Sequence, residues 1–151
     1  MTRASFSKSD VDFLVKEPKF IRFVSRQNAS GNVIQIQAPV FKNSEPSTAI
    51  KGLFVKATVD KPLSGISKRP RPSCCLDYKG QRIRGIDFEQ WHDNPDGTRI
   101  LGWHEHLWSV EWGDSLVIGI PELRQKHLRA ILKCGLERWN IAVLLQQEEL
   151  L

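Results

Sequence analysis

Clean period-two alternation in Val33-Ile34-Gln35-Ile36-Gln37 commits the early chain to sheet, because a one-residue slip would turn its apolar side chains to the wrong face. Asn28-Ala29-Ser30-Gly31-Asn32 precedes it as a turn, and Phe20 to Ser25 alternates before that, so a hairpin is expected. Leu53 to Val59 reads as a third strand. Cys74 to Tyr78 and Arg82 to Phe88 flank the Lys79-Gly80 turn as a second hairpin. Asn94-Pro95-Asp96-Gly97 is a strong turn signal. After it, Leu101 to Trp112 looks extended and aromatic-rich, and Leu116 to Ile120 fits one more short strand.

Helices are expected at both ends of this strand-rich stretch. Ser7 to Glu17 has a capping serine, Asp10 in the first turn, an apolar stripe of Val11, Leu14 and Val15, and Pro18 as its stop. Pro121 opens a final helix whose one face carries Leu128, Ile131, Leu132, Gly135 and Trp139. Asn140 to Leu151 is an apolar tail that fits a further strand or a helical turn equally. The expected fold is α+β: a mostly antiparallel sheet with an N-terminal helix and a longer C-terminal helix packed on it. A chain of 151 residues with 40% hydrophobic and 26% charged side chains suits a single domain spanning residues 1–151.

Apolar runs such as Ala142 to Leu145 are far shorter than the roughly 20 residues of a membrane span. The opening Met1-Thr2-Arg3-Ala4-Ser5 lacks a signal-peptide core, so a cytoplasmic protein without a membrane partner is expected. Three cysteines, two of them adjacent and none in a C-x-x-C pair, read as reduced thiols rather than a disulfide or zinc framework.

The net charge of +5 favours polyanionic partners. Two regions concentrate base. Residues 60–72 combine Lys61, Lys68, Arg69 and Arg71 with Pro62, Pro70 and Pro72, which fits a phosphate-gripping arm or a solvated loop. Lys126, Arg129 and Lys133 share the polar face of the final helix, for nucleic-acid contact or plain solvation.

The concentrated chemistry lies between Arg82 and His106. In His104-Glu105-His106, residues two apart project to one face of a strand, so two imidazoles stand side by side. Trp103 and Leu107 would then anchor the other face. Arg82 and Arg84 obey the same rule on the preceding strand, placing two guanidinium groups opposite two imidazoles. Asp87 falls on the other face unless Gly85 makes a bulge. Such a surface suits RNA cleavage without a metal or other cofactor. Histidine, with a reference pKa of about 6.5, serves as both base and acid, and arginine grips the phosphate. His104 and His106 would act as base and acid, His92 would assist, Arg82 and Arg84 would hold phosphate and Asp87 would orient an imidazole.

Two other readings stand beside it. His-x-His is a common metal-ligand pair that His92 with Asp87 or Asp96 can complete, although two nearby arginines would repel a cation. The histidines also fit ordinary half-buried polar positions among the tryptophans. Of Trp91, Trp103, Trp108, Trp112 and Trp139, most are expected in the core, with Trp91 or Trp108 as the exceptions able to stack bases. His127 reads as structural, beside the core stripe of the final helix.

The order Arg82-x-Arg84-x-x-Asp87, His92 before Asn94-Pro95-Asp96-Gly97, then His104-x-His106 resembles a family of small bacterial proteins. The ending Trp139-Asn140-Ile141 with Gln146, Gln147 and Leu150 adds to the likeness, which covers roughly residues 76–151. That family is similar to the TumE-type toxins of toxin–antitoxin pairs. The resemblance implies a small ribonuclease-like toxin acting on RNA and neutralised by a cognate antitoxin protein. Arg84, Asp87, His92, His104 and His106 would inherit the catalytic roles. The alternatives are a non-catalytic nucleic-acid- or protein-binding inhibitor from a mobile element, and a metal-dependent enzyme using the His-x-His pair.

Overall fold

The computed structural model describes residues 6–22, 27–30, 33–60, 71–124 and 127–144. Helix α1, Lys8–Lys16, starts where its sequence says it should. The Ser7 hydroxyl accepts from the Asp10 N–H, and the Asp10 carboxylate accepts from the Ser7 N–H at 2.8 Å, closing a capping box. The chain then enters β1, Lys19–Ile21, β2, Gln27–Ser30, and β3, Val33–Phe41. Asn28 to Ser30, expected in a turn, instead pairs with β3. Residues 23–26, part of the expected first strand, lie outside the described residues.

Strand β4, Ala49–Asp60, outruns its apolar centre at both ends. Of the basic loop, Lys61, Lys68 and Arg69 lie outside the described residues. Arg71 and Pro72 instead begin β5, Arg71–Tyr78, where they pair with Asp60 and Val59. Lys79 and Gly80 both take positive φ, 51° and 82°, which matches the twist a two-residue hairpin demands. Strands β6, Gln81–Asp93, and β7, Arg99–Ser109, follow, joined by the Asn94–Gly97 turn with Gly97 N–H donating to the Asn94 carbonyl at 2.9 Å. Strand β8 is Gly113–Gly119, helix α2 Leu128–Arg138 and β9 Ile141–Val143.

These strands form one sheet in the order β8-β7-β6-β5-β4-β3-β1-β9, with β2 added alongside β3. Every described pairing is antiparallel except β1 with β9. The tail therefore adds a strand. α2, with 11 residues against nine in α1, is the longer helix. It starts later than Pro121 suggests: a turn with Leu123 N–H on the Ile120 carbonyl intervenes, and His127 is its exposed N-cap, without a side-chain capping bond. Proline at a first turn permits a helix without starting one, and buried Ile120 holds the chain in the turn. Ile131, Leu132, Leu136 and Trp139 share a core with Val11 and the sheet residues Val55, Cys74, Leu76 and Ile86. The Cys74 thiol, 3.6 Å from the Ile131 carbonyl, fixes α2 over this face.

The opposite face of the sheet carries the candidate chemistry. Among the described residues no helix is long and apolar enough to cross a membrane.

Candidate functional site

Pairing between β6 and β7 sets Asp87 opposite His104 and Gly85 opposite His106, so Asp87, Glu89, His104 and His106 share one face. Strict alternation would send Arg82 and His92 to the other side. Two irregularities in β6 prevent this. Leu76 pairs with Arg84 and Asp77 with Arg82, leaving Ile83 as an extra residue. Glu89 pairs with Gly102 and His92 with Ile100, which inserts another. Each bulge reverses the phase of the strand, so Arg82 and His92 both join the histidine face.

The same bulge separates the two arginines. Arg84 turns to the helix side, 3.9 Å from Asp12 and 4.0 Å from Glu105, and does not meet the histidines. The expected pair of guanidinium groups is thus one group, Arg82. Asp87, expected on the other face unless Gly85 made a bulge, faces the histidines without one there: it pairs with His104, and the bulge falls at Arg82–Arg84.

Enclosure comes from coiling of β6, β7 and β8. Asn94, past the end of β6, reaches β8: its amide donates to the Val117 carbonyl at 2.9 Å and accepts from the Val117 N–H at 2.8 Å. His92 Nε2 lies 2.7 Å from the Ser115 carbonyl oxygen. The end of the hairpin thus closes against the edge strand, blunting it. His104 and His106 are left 0% and 4% exposed. The Asp87 and Glu89 side chains stay 27% and 41% exposed, so the cluster opens on their side.

Each imidazole sets one nitrogen on a backbone carbonyl: His104 Nδ1 lies 2.8 Å from the Gly102 carbonyl, His106 Nδ1 2.8 Å from the Asp114 carbonyl, and His92 Nε2 on Ser115 as above. A carbonyl only accepts, so His104 Nδ1 and His92 Nε2 carry the hydrogen, whereas His106 Nδ1 also faces the Arg82 Nη2 donor at 3.3 Å. The other nitrogen of each ring then faces a carboxylate. His104 Nε2 is 2.7 Å from Asp87 Oδ1 and 3.3 Å from Glu89 Oε1. His106 Nε2 is 3.1 Å from the same Asp87 oxygen, and His92 Nδ1 is 3.2 Å from Glu89 Oε1. Buried His104 Nε2 is within hydrogen-bond distance of Asp87 Oδ1 but off the ideal line of approach.

Two lone-pair-bearing groups facing one another need a cation between them, either a proton or a metal ion. The proton solution is visible in the electrostatics. Burial disfavours a charged His104, but the adjacent Asp87 carboxylate and the Gly102 carbonyl outweigh it and raise the imidazole's pKa. Burial would likewise raise the Asp87 carboxyl, yet its neighbours His104 and His106 hold it well below the usual carboxylate range.

The metal solution fits the spacing. Ligand bonds of about 2.0–2.1 Å at tetrahedral to octahedral angles place neighbouring ligand atoms about 2.9–3.4 Å apart. Of the separations given above, 3.1 and 3.3 Å fall within that range and 2.7 Å lies slightly below it. One ligand atom from each of Asp87, Glu89, His104 and His106 lies within 4.8 Å of every other. The sequence argument against a cation, two repelling arginines, also weakens. Arg84 is on the far face, and Arg82 is neutralised by Asp114 at 2.7 Å and Asp87 at 3.6 Å.

Glu89, Asp114 and Glu105 were not singled out by the sequence. Glu89 was findable, since it stands two residues after Asp87 on the same strand. Glu105, between the histidines, points to the helix side and accepts from Arg138 Nε at 2.8 Å and Trp139 Nε1 at 2.7 Å. Arg129 and Lys133 are exposed on α2, Lys133 lying 3.9 Å from Glu137, and Lys126 lies outside the described residues. Trp103 and Trp139 are buried and Trp91 exposed as expected. Trp112 is exposed as well, while Trp108 is half-buried.

Comparison with family models, curated proteins and solved structures yields no match, so the resemblance to TumE-type toxins rests on the quoted motifs alone.

Proposed function

We propose that this chain is a metal-dependent hydrolase built on one divalent transition-metal ion held by Asp87, Glu89, His104 and His106. The observation that carries this reading is His104. Its buried Nε2 faces the Asp87 and Glu89 carboxylates at 2.7 and 3.3 Å while its Nδ1 is pinned to the Gly102 carbonyl, the arrangement that orients an imidazole as a ligand. Two imidazoles with two carboxylates suit zinc, manganese or ferrous iron better than the all-oxygen preference of calcium or magnesium. A bound ion would supply an activated water, whose pKa falls toward about 7. The open Asp87 and Glu89 side would admit that water and a substrate. His92, held by Ser115, stands 3.2 Å from Glu89 at the rim of the site.

Elemental analysis after dialysis against zinc or manganese should find one ion per chain. His104→Ala should weaken uptake by more than the roughly 10–100-fold that loss of an outer-shell partner costs. A folded chain that retains none of these ions would overturn the reading.

Metal-independent RNA cleavage, with His104 and His106 as base and acid and an antitoxin as partner, is the second reading. The contact of 3.3 Å between Arg82 Nη2 and His106 Nδ1 favours it, because it sets a phosphate-gripping group beside an imidazole. The two readings diverge on chelation. EDTA should abolish hydrolysis by a metal centre and leave cleavage by histidines alone unchanged.

A further inference from the structure

Beside the cluster lies an open cleft of about 220 Å³ lined by Gln81, Arg82, Trp108, Gly113 and Asp114. Arg82 belongs to both places. The residue lines the cleft, and its Nη1 lies 3.6 Å from Asp87 Oδ2. Asp114 Oδ2 accepts from Nε at 2.8 Å and is 2.7 Å from Nη2, which holds the guanidinium flat and leaves Nη1 turned to Asp87. An ion among the histidines would meet Asp87 Oδ1, the other oxygen, and at 3.6 Å from Oδ2 Nη1 keeps its donors for a ligand between the ion and the cleft.

The rest of the lining is suited to a ring. Trp108 donates its indole N–H to the Gln81 amide oxygen at 3.1 Å, which fixes the indole plane. Gly113 contributes no side chain, and a Cβ there would stand in open space, so that wall stays empty. The cleft is smaller than the roughly 300 Å³ lower end of drug-sized pockets. It holds one ring, not an extended molecule.

We propose that this cleft takes the planar ring of a nucleotide-type phosphate ester, whose phosphate bridges Arg82 Nη1 and the ion. This rests on the metal reading above and names that site's substrate class. A phosphate carries the paired oxygens that a planar guanidinium recognises, and its remaining oxygens ligate a divalent ion. The base lies against Trp108 on the side that Phe6, 4.9 Å away between ring centroids, does not cover, and stacking there tolerates any base identity.

The test uses the full chain loaded with zinc, titrated calorimetrically with adenosine 3′-monophosphate, inorganic phosphate and adenosine. The nucleotide should bind more tightly than phosphate, and adenosine most weakly. Arg82→Gln should weaken nucleotide and phosphate by roughly 10- to 100-fold with zinc content unchanged. Arg82→Lys, which keeps the charge opposite Asp114, should also weaken both, guarding against a folding defect in the glutamine variant. Trp108→Leu should bring the nucleotide down to the level of phosphate alone. Zinc retained with equal phosphate binding in wild type and both Arg82 variants would overturn this inference and leave the metal reading standing. Failure of the wild-type chain to take up any ion removes the metal reading and this inference with it.

Discussion

Arg82 lies across Gly85: a Cβ at residue 85 would come within 2.7 Å of Arg82 Cδ and 3.3 Å of its Nε. The glycine is there for closeness and not for backbone freedom. It lets the arginine run flat over the strand to Asp114, Asp87 and His106. Gly85→Ala should therefore push Arg82 off its partners. The expected cost is about 1–3 kcal/mol, the range for an overpacked site, read from urea unfolding. The half-exposed Arg82–Asp114 pair contributes little of it. Zinc uptake should persist, since residue 85 supplies no ligand.

Acid and base act oppositely on the ion-free site. Asp87 has a depressed folded pKa, so its stabilising contribution is present above about pH 4 and is lost as pH falls through the folded value. His104 has a raised folded pKa, so its contribution is full below about pH 6.5 and is lost as pH rises through the folded value. With EDTA present, the pair should be most stabilising between roughly pH 4 and 6.5, and Asp87→Asn should flatten both limbs. With zinc bound, the upper limb should reverse and stability should rise toward neutrality, because protons compete with the ion for the imidazoles. Urea midpoints across pH, with and without zinc, decide both.

Glu105 separates the anchoring role from the chemical one. It is buried, holds Arg138 and Trp139 of the helix end, and faces away from His104 and His106. Glu105→Ala should cost about 3 kcal/mol, the low end for breaking a buried pair, because Arg138 keeps part of its surface in water. Zinc stoichiometry of the folded fraction should not change. A variant of wild-type stability would show that α2 is held by apolar packing alone.

Lys19 does similar work at the other side of the fold. Its buried ammonium donates to the carbonyls of Val15 at 3.1 Å, Glu17 at 2.8 Å and Trp139, joining the ends of both helices to β1. Lys19→Met keeps the length and removes all three donors. It should destabilise by about 2–4 kcal/mol, because carbonyls are left unpaired in the interior. Burial lowers the ammonium's pKa to about 8, only partly offset by Glu17. The folded state thus binds this proton less tightly than the unfolded one. Its contribution should make wild-type stability rise between about pH 8 and 10.5, and the methionine variant should lack that rise.

Local chemistry was legible in the sequence, and phase was not. The Ser7 cap, the Lys79-Gly80 hairpin turn and the Asn94–Gly97 turn each depend on a few neighbouring residues, and each stands where it was read. His104 and His106 share a face because β7 is regular between them. The placement of Arg82, Arg84 and His92 depends on two bulges in β6. Those are set by how β6 pairs with β5 and β7, and no short motif in β6 announces them. The burial of the histidines has the same origin. It comes from Asn94 binding across to Val117, a contact that alternation within one strand does not encode.

The parallel rung between β1 and β9 bears on the order of assembly. Strands β6, β7 and β8 follow one another through short turns, so their contacts close small loops and are expected to form early. Lys19 against Ile141 joins positions separated by most of the chain and closes late. The histidine cluster proposed to hold an ion would then be complete while the far margin of the sheet is still open. Ions present during synthesis would meet a finished binding nest before they meet a finished protein.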